Sequence, residues 1–328
     1  MVRRTWLVIA GLSALALAAV GAAPGRAAST RVVGRGTPAS CTSAAVVAAV
    51  RAGGYIRFSC GPAPVTITMR DTARVMNTSP RVTLDGGGRV TLSGAGRRRI
   101  LYMDTCDRAQ VWTTSHCQDQ ASPELVIENL TLRDGNSTGQ RFDGGGGGAV
   151  FARGGRLRIV ASTFLGNRCD PTGPDLGGGA VRALSQYRGL PVYVVNSRFT
   201  ANVCSNGGAL SSIGVSWTVE NSRFTGNRAI GYGANPARSG TPGGGSGGAI
   251  YNDGDEMTLS IRSSLFTNNH AREGGGAIFF VSDDRTGTMA IATSTLAGNP
   301  NLGFHTPGLP GIFFLGAGRP AITGSVLR

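Results

Sequence analysis

The chain has 328 residues, a length that fits one domain, and 52 of them are glycine, well above the usual ~7%. Its 32 basic residues are all arginine and outnumber 18 acidic residues, which gives a formal net charge of +14. This excess favours association with polyanions such as acidic glycans, wall teichoic acids or anionic surfaces, whereas the low aromatic content argues against a nucleic-acid partner.

The first 27 residues have the pattern of a signal peptide. Arg3 and Arg4 form a basic start, residues 6–20 form an apolar run, and the segment Gly25-Arg26-Ala27 places small residues at a cleavage site. The alternative is a membrane anchor, although the run is short for a span and rich in alanine and glycine. We therefore expect a secreted protein with no transmembrane segment in its mature chain, whose net charge would be +11 without this leader.

Residues 28–64 are predicted to form an N-terminal cap. The segment 41–54 reads CTSAAVVAAVRAGG, in which Thr42 or Ser43 can cap a helix start and Gly53-Gly54 can end the helix. A short helix of this kind would cover the open end of a stacked structure, which otherwise exposes strand edges. The stacked part itself is predicted to span residues 65–328.

An octapeptide pattern recurs six times in that part, with copies ending at Leu132, Phe164, Phe199, Phe224, Phe266 and Leu296. Its first position is large and apolar and its third is Ile or Val, and this alternation indicates strands. A truncated seventh copy occupies residues 320–327. Repetition at intervals of roughly 25–40 residues indicates coils stacked in a solenoid.

Two polar positions recur with the pattern. A serine occupies position six in five copies, and an asparagine follows three residues after the last apolar position in the same five copies. The predicted asparagine ladder consists of Asn167, Asn202, Asn227, Asn269 and Asn299. Stacked strands lie about 4.8 Å apart, so equivalent amides can hydrogen-bond along the stack.

The six cysteines fall into three pairs that are close in sequence, Cys41 with Cys60, Cys106 with Cys117, and Cys169 with Cys204. Cys169 and Cys204 each follow a ladder asparagine by two residues and should therefore stack at a distance that a disulfide can bridge. The alternative is two free cysteines in loops. Disulfides would agree with export, because they persist in oxidising compartments.

The chain resembles the right-handed parallel β-helix proteins of the pectate-lyase-like superfamily over residues 80–328. Gly248-Ala249-Ile250, followed by Phe266-Thr-Asn-Asn269, is similar to the repeats of polymorphic outer membrane proteins. The resemblance implies an all-β fold, a right-handed parallel β-helix (solenoid) with a short N-terminal capping helix. The superfamily includes polysaccharide lyases, polygalacturonase-like hydrolases and adhesins, so the fold alone does not assign a function.

The catalytic motifs of the polygalacturonase-like hydrolases, Asn-Thr-Asp and His-Gly, do not occur in the sequence, and neither does any lysine. One carboxylate arrangement repeats: Asp255 and Glu256 lie six and seven residues after Ala249, and Asp283 and Asp284 lie at the same offsets from Ala277. Stacked carboxylates could bind Ca²⁺ as a cofactor. The alternative is a pair of ordinary polar turns.

We expect a secreted monomer that acts at carbohydrate-rich or anionic surfaces, either by binding to them or as a structural protein displayed on them. Its expected partner is an acidic polysaccharide or an anionic cell-surface polymer. The competing hypothesis is a polysaccharide lyase or related carbohydrate-active enzyme that acts on acidic glycans, and the sequence leaves open whether the protein is an enzyme.

Overall fold

The computed structural model describes residues 29–140 and 144–328. The predicted signal peptide, residues 1–27, lies outside the described residues. In the described part, one α-helix, α1, spans Ser43–Ala52.

The strands are short and follow one another along the whole described chain. In chain order they are β1 Thr30–Val33, β2 Gly54–Phe58, β3 Val65–Thr68, β4 Ala73–Arg74, β5 Arg81–Ser93, β6 Leu101–Asp104, β7 Glu124–Arg133, β8 Val150–Arg153, β9 Arg156–Val160, β10 Thr163–Leu165, β11 Val181–Leu184, β12 Val192–Val195, β13 Arg198–Thr200, β14 Val203–Cys204, β15 Leu210–Ile213, β16 Trp217–Glu220, β17 Arg223–Thr225, β18 Arg228–Ala229, β19 Ile250–Gly254, β20 Thr258–Arg262, β21 Leu265–Thr267, β22 His270–Ala271, β23 Ile278–Ser282, β24 Thr288–Ala292, β25 Thr295–Ala297, β26 Ile312–Leu315, β27 Ala321–Thr323 and β28 Val326–Leu327.

These strands form three parallel sheets that run along one stack. A large sheet contains 17 strands, a second sheet contains eight strands in the order β26-β23-β19-β15-β11-β8-β6-β4, and a third contains β14, β18 and β22. Successive coils pair in register, so that Val194 lies between Ile159 and Val219. The predicted all-β parallel β-helix is thereby confirmed, and the connection rule for parallel strands favours its right-handed form.

The interior of the stack consists of columns of like residues. Phe164, Phe199, Phe224 and Phe266 are fully buried, and their rings stack at centroid distances of 4.8, 4.8 and 4.5 Å. Burial of each such side chain contributes roughly 1.5–3 kcal/mol. Because each ring contacts its counterparts in the neighbouring coils, the core is continuous along the stack.

Helix α1 packs over the first coil, as expected for a cap. The Thr42 hydroxyl accepts a hydrogen bond from the Ala45 amide, and Gly53 ends the helix with a φ of 70°. Val46 and Val50 lie on the inner face of the helix and are buried. Two strands of the 28–64 segment join the stack as well: β1 pairs with β2, and β2 pairs with β5. The parallel stack thus begins ahead of the predicted boundary at residue 65, because Gly54–Phe58 continues the sheet register.

The predicted asparagines form one buried column. In each step the Nδ2 of one asparagine donates to the Oδ1 of the next, at 2.9, 2.9, 2.8 and 2.9 Å from Asn167 to Asn299. Each Oδ1 also accepts the backbone N–H of the preceding asparagine, and Gly135 makes this contact with Asn167 in the coil that lacks the residue. The column therefore provides hydrogen-bond acceptors for the buried backbone N–H groups where each coil turns.

Candidate functional site

The four carboxylates proposed for calcium lie in two exposed turns, directly after β19 and β23. Asp284 accepts hydrogen bonds from the Thr286 backbone N–H and hydroxyl and from the Ser282 hydroxyl, and these bonds lower the pKa of its carboxyl group. Within residues 29–140 and 144–328, no group of three or more His, Cys, Asp or Glu side chains could hold a metal ion. Calcium binding by Asp255, Glu256, Asp283 and Asp284 stays a prediction.

The three cysteine pairs are disulfide-bonded, with Cα–Cα distances of 5.7 Å for Cys41–Cys60, 5.0 Å for Cys106–Cys117 and 4.8 Å for Cys169–Cys204. The last distance is one strand spacing. The stacked position of Cys169 and Cys204 therefore brings them within reach of each other, as the repeat predicted.

A cleft with a volume of about 410 Å³ opens on the outer face of the eight-stranded sheet. Its lining residues are Gln118, Gly144, Arg153, Asp175, Arg182, Leu184, Ser185 and Ile213. Arg153, Leu184 and Ile213 occupy the same position in three neighbouring strands, and the register continues to Asp104 on one side and to Asp253 on the other. Arg153, Leu184 and Ile213 thus form the floor of the cleft, and they are the middle of a row of five residues with an aspartate at each end.

Each terminal aspartate is paired with a tyrosine two residues before it. The Tyr251 hydroxyl donates to Asp253 at 2.7 Å, and the Tyr102 hydroxyl contacts Asp104 at 3.3 Å. Burial raises the pKa of both carboxyl groups. At one strand spacing per step, the two aspartates lie about 19 Å apart, which defines the length of the row.

The loop of residues 231–247 reaches the Asp253 end of this row. Asn235 Nδ2 lies 2.6 Å from the Tyr251 hydroxyl, 2.9 Å from Asp253 Oδ2 and 3.2 Å from Asp175 Oδ1. Two carboxylates from different coils therefore share one amide group. This arrangement brings Asp175 next to the half-buried carboxyl group of Asp253.

The same loop is held in place by an ion pair. Arg238 binds Glu273 through two hydrogen bonds of 2.9 and 3.1 Å, and the Gly233 N–H donates to Glu273 at 2.8 Å. Two antiparallel bridges, Tyr232 with Gly243 and Ala234 with Gly244, close the loop on itself. These contacts hold the loop, with Asn235, at the Asp253 end of the row.

Two arginines bring positive charge to the cleft. The Arg182 guanidinium is buried and donates to the Ser211 hydroxyl and to the Asp175 backbone carbonyl. Arg153 lies in the floor beside Asp104, and its charge opposes the effect of burial on the pKa of that carboxyl group. Cationic, carboxylate and apolar groups therefore converge on one concave surface.

A second titratable cluster lies on the outer face of the large sheet. The Tyr55 hydroxyl donates to Asp85 at 2.6 Å, a bond that raises the pKa of Tyr55 to about 12. Asp85 and Glu128 are register neighbours, and burial raises the pKa of Glu128. This cluster is on a different sheet from the cleft and does not contribute to it.

The tyrosine–aspartate pairs are not among the site residues predicted from the sequence. A signal was present, since Leu101-Tyr-Met-Asp104 and Ile250-Tyr-Asn-Asp253 have the same pattern of an aliphatic residue, Tyr, any residue and Asp. The two segments are separated by three coils with other residues at these positions, so the likeness becomes meaningful only once the register is known.

Comparison with protein families gave one match. The model of the Chlamydia polymorphic membrane protein repeat matches residues 221–253 and 263–281. Each matched range includes the last four residues of one octapeptide copy and one Gly-Gly-Ala segment. Curated proteins and solved structures gave no match. Among the residues that the structure describes, none of the helices has the length and apolar character needed to cross a membrane.

Proposed function

We propose that the protein is a secreted β-helix that binds an acidic carbohydrate polymer in the cleft on its eight-stranded sheet, and so acts at carbohydrate-rich or anionic surfaces. The observation that supports this proposal is a cleft in which the half-buried Arg153 lies beside Leu184 and Ile213, with the buried guanidinium of Arg182 contributing positive charge from behind. Apolar floors with a few placed polar groups are typical of ligand sites.

The chemistry of the cleft fits a uronic acid better than a neutral sugar. Guanidinium groups bind carboxylates through paired, charge-assisted hydrogen bonds, and aliphatic side chains pack against the C–H faces of a sugar ring. The excess of arginine in the whole chain would attract such a polymer. The three disulfides and the partial match to a membrane-protein repeat support an extracytoplasmic location.

Calorimetric titration with uronate-containing oligosaccharides and with neutral ones tests this proposal. We expect binding of the acidic ligands only, and a loss of about tenfold or more for Arg153→Ala, since hydrogen bonds to charged groups contribute about 1.5–3 kcal/mol. Arg262→Ala is the matched control, because Arg262 is an exposed arginine on the large sheet. Equal effects of the two substitutions, or no binding at all, would contradict the proposal.

A second candidate is a carbohydrate-active enzyme that acts on acidic glycans, as the resemblance to the pectate-lyase-like superfamily suggests. Asp253, a carboxyl group whose pKa is raised by burial, shares Asn235 with Asp175. Glycoside cleavage uses one carboxyl group that stays protonated beside a second carboxylate. The two groups at this end of the cleft could take these roles.

The enzymatic candidate is tested with a panel of acidic polysaccharides, by reducing-end release for hydrolysis and by absorbance of unsaturated product for lyase activity, with and without Ca²⁺. We expect Asp253→Asn to abolish any turnover while oligosaccharide binding persists. Binding without turnover in the unsubstituted protein would leave the binding function and exclude the enzymatic one for those substrates.

A further inference from the structure

The segment between β6 and β7 exposes two large apolar side chains side by side. Val111 is 43% exposed and Trp112 is 44% exposed, at the tip of a loop that the Cys106–Cys117 disulfide closes. Exposed tryptophan is uncommon on the surfaces of soluble proteins and is enriched at binding sites.

The side chain of Asn77 holds the loop in one conformation. The amide of Asn77, in the first coils, donates to the backbone carbonyls of Thr105, Asp107 and Val111 at 3.2, 3.3 and 3.1 Å. Val111 has a φ of 74°, which is unfavourable for a β-branched residue. Such a conformation persists only where surrounding contacts impose it, and it is concentrated at functional sites.

Trp112 is combined with a positive charge. The Arg108 guanidinium lies 4.8 Å from the centre of the Trp112 ring system, close enough for a cation–π interaction. An indole that packs against the C–H face of a sugar ring, beside a guanidinium that pairs with a carboxylate, matches one uronic acid unit.

The residue that directly follows this loop, Gln118, lines the cleft. Gln118, which lines the cleft, follows Trp112 by six residues, so the two lie within about 22 Å of each other. Ser185 donates to Gln118 at 3.0 Å, and the Arg188 backbone N–H donates to Asp119 at 2.6 Å, which fixes this end of the loop to the next coils. A polymer that leaves the cleft past Gln118 would meet the loop.

We propose that Trp112 and Arg108 form an outer subsite that stacks on one uronic acid unit of the polymer bound in the cleft. This inference rests on the proposed function and extends it by naming a specificity-determining platform outside the cleft. Its ligand is the same acidic polymer, recognised by its ring face and its carboxylate together.

Tryptophan fluorescence provides a direct test, because Trp217 is fully buried. Titration with uronate oligosaccharides of increasing length should change the emission of the protein once the chain is long enough to reach the loop. Trp112→Phe should remove that change, and Trp112→Ala should weaken binding of the long oligosaccharides about tenfold while binding of the shortest ones is unaffected. Leu302→Ala, at an exposed apolar residue elsewhere, is the control.

Three outcomes separate the inference from the proposed function. Calorimetric binding that depends on Arg153, with no fluorescence change and no effect of Trp112→Ala, would overturn the subsite and leave the cleft function. A fluorescence response that neutral oligosaccharides produce equally would overturn the assignment of a uronic acid to Arg108. No binding of any oligosaccharide by calorimetry would overturn both.

Discussion

Asn227 illustrates what a single buried residue must satisfy in a stacked coil. Its Nδ2 donates to Asn269 Oδ1 at 2.8 Å and to the Phe199 carbonyl at 2.9 Å, and its own Oδ1 accepts two hydrogen bonds from Asn202. The side chain is fully buried, so none of these groups can exchange its partner for water.

Replacement of Asn227 by leucine should lower the free energy of unfolding by about 1–3 kcal/mol, because the carbonyl and amide groups around it lose their partners. Chemical denaturation measures this loss. Arg228→Leu, at the next and exposed residue, serves as the control and should change stability little. Equal stability of Asn227→Leu and the unsubstituted protein would mean that the ladder does not stabilise the fold.

Elements differ in how firmly they are attached to the stack. The strands are held by the hydrogen bonds of parallel pairing. The 231–247 loop is held by backbone hydrogen bonds at its two ends, and between them by Asn235 and the Arg238–Glu273 pair. Burial of Glu273 opposes its ionisation, but the hydrogen bonds from Arg238 and from the Gly233 N–H outweigh this effect and lower the pKa of the Glu273 carboxyl group. We therefore expect the attachment of this loop to weaken in acid.

A depressed pKa stabilises the folded state above the unfolded-state pKa of Glu273, about 4.3, and the stabilisation is lost as the pH falls through the folded-state value. We expect cleavage at Arg238 by an arginine-specific protease that is active in acid to rise below about pH 4. Glu273→Gln should make the loop cleavable at neutral pH also.

Glu256→Gln, at an exposed acid outside the loop, is the control and should leave the cleavage rate unchanged. If Glu273→Gln is cleaved no faster than this control at neutral pH, the ion pair does not hold the loop.

At the scale of the whole molecule, charge is distributed unevenly over the sheets. Arg198 and Arg223 lie directly opposite each other on neighbouring strands of the large sheet, and both are exposed. Like charges in such positions repel each other and gain nothing from pairing. The positive charge that they expose to solvent is therefore available to anionic partners. The aspartates with raised pKa values, Asp104 and Asp253, belong instead to the eight-stranded sheet.

Binding of acidic polymer should therefore weaken steeply with salt, because the screening length falls from about 30 Å at 0.01 M to about 3 Å at 1 M. Dissociation constants measured across this range by calorimetry test the expectation. Arg198→Ala combined with Arg223→Ala should reduce the salt dependence and leave short-oligosaccharide binding in the cleft intact. An affinity that does not change with salt would contradict a charge-driven interaction.

The repeat alone was sufficient to predict the columns. A strand alternates its side chains between two faces, so only one pairing register of successive coils buries all of their apolar residues. In that register, residues at the same position of the repeat stack on one another. The Asn167–Asn299 column and the Cys169–Cys204 bridge therefore follow from the sequence spacing. The cleft could not be predicted in this way. Tyr102 and Tyr251 lie on strands that are separated by three intervening coils, and Asn235 comes from an irregular loop. Their contacts therefore depend on how loops of unequal length pack over the outer face. Periodicity determines which residues face the core, but only the folded chain determines what covers the face that points away from it.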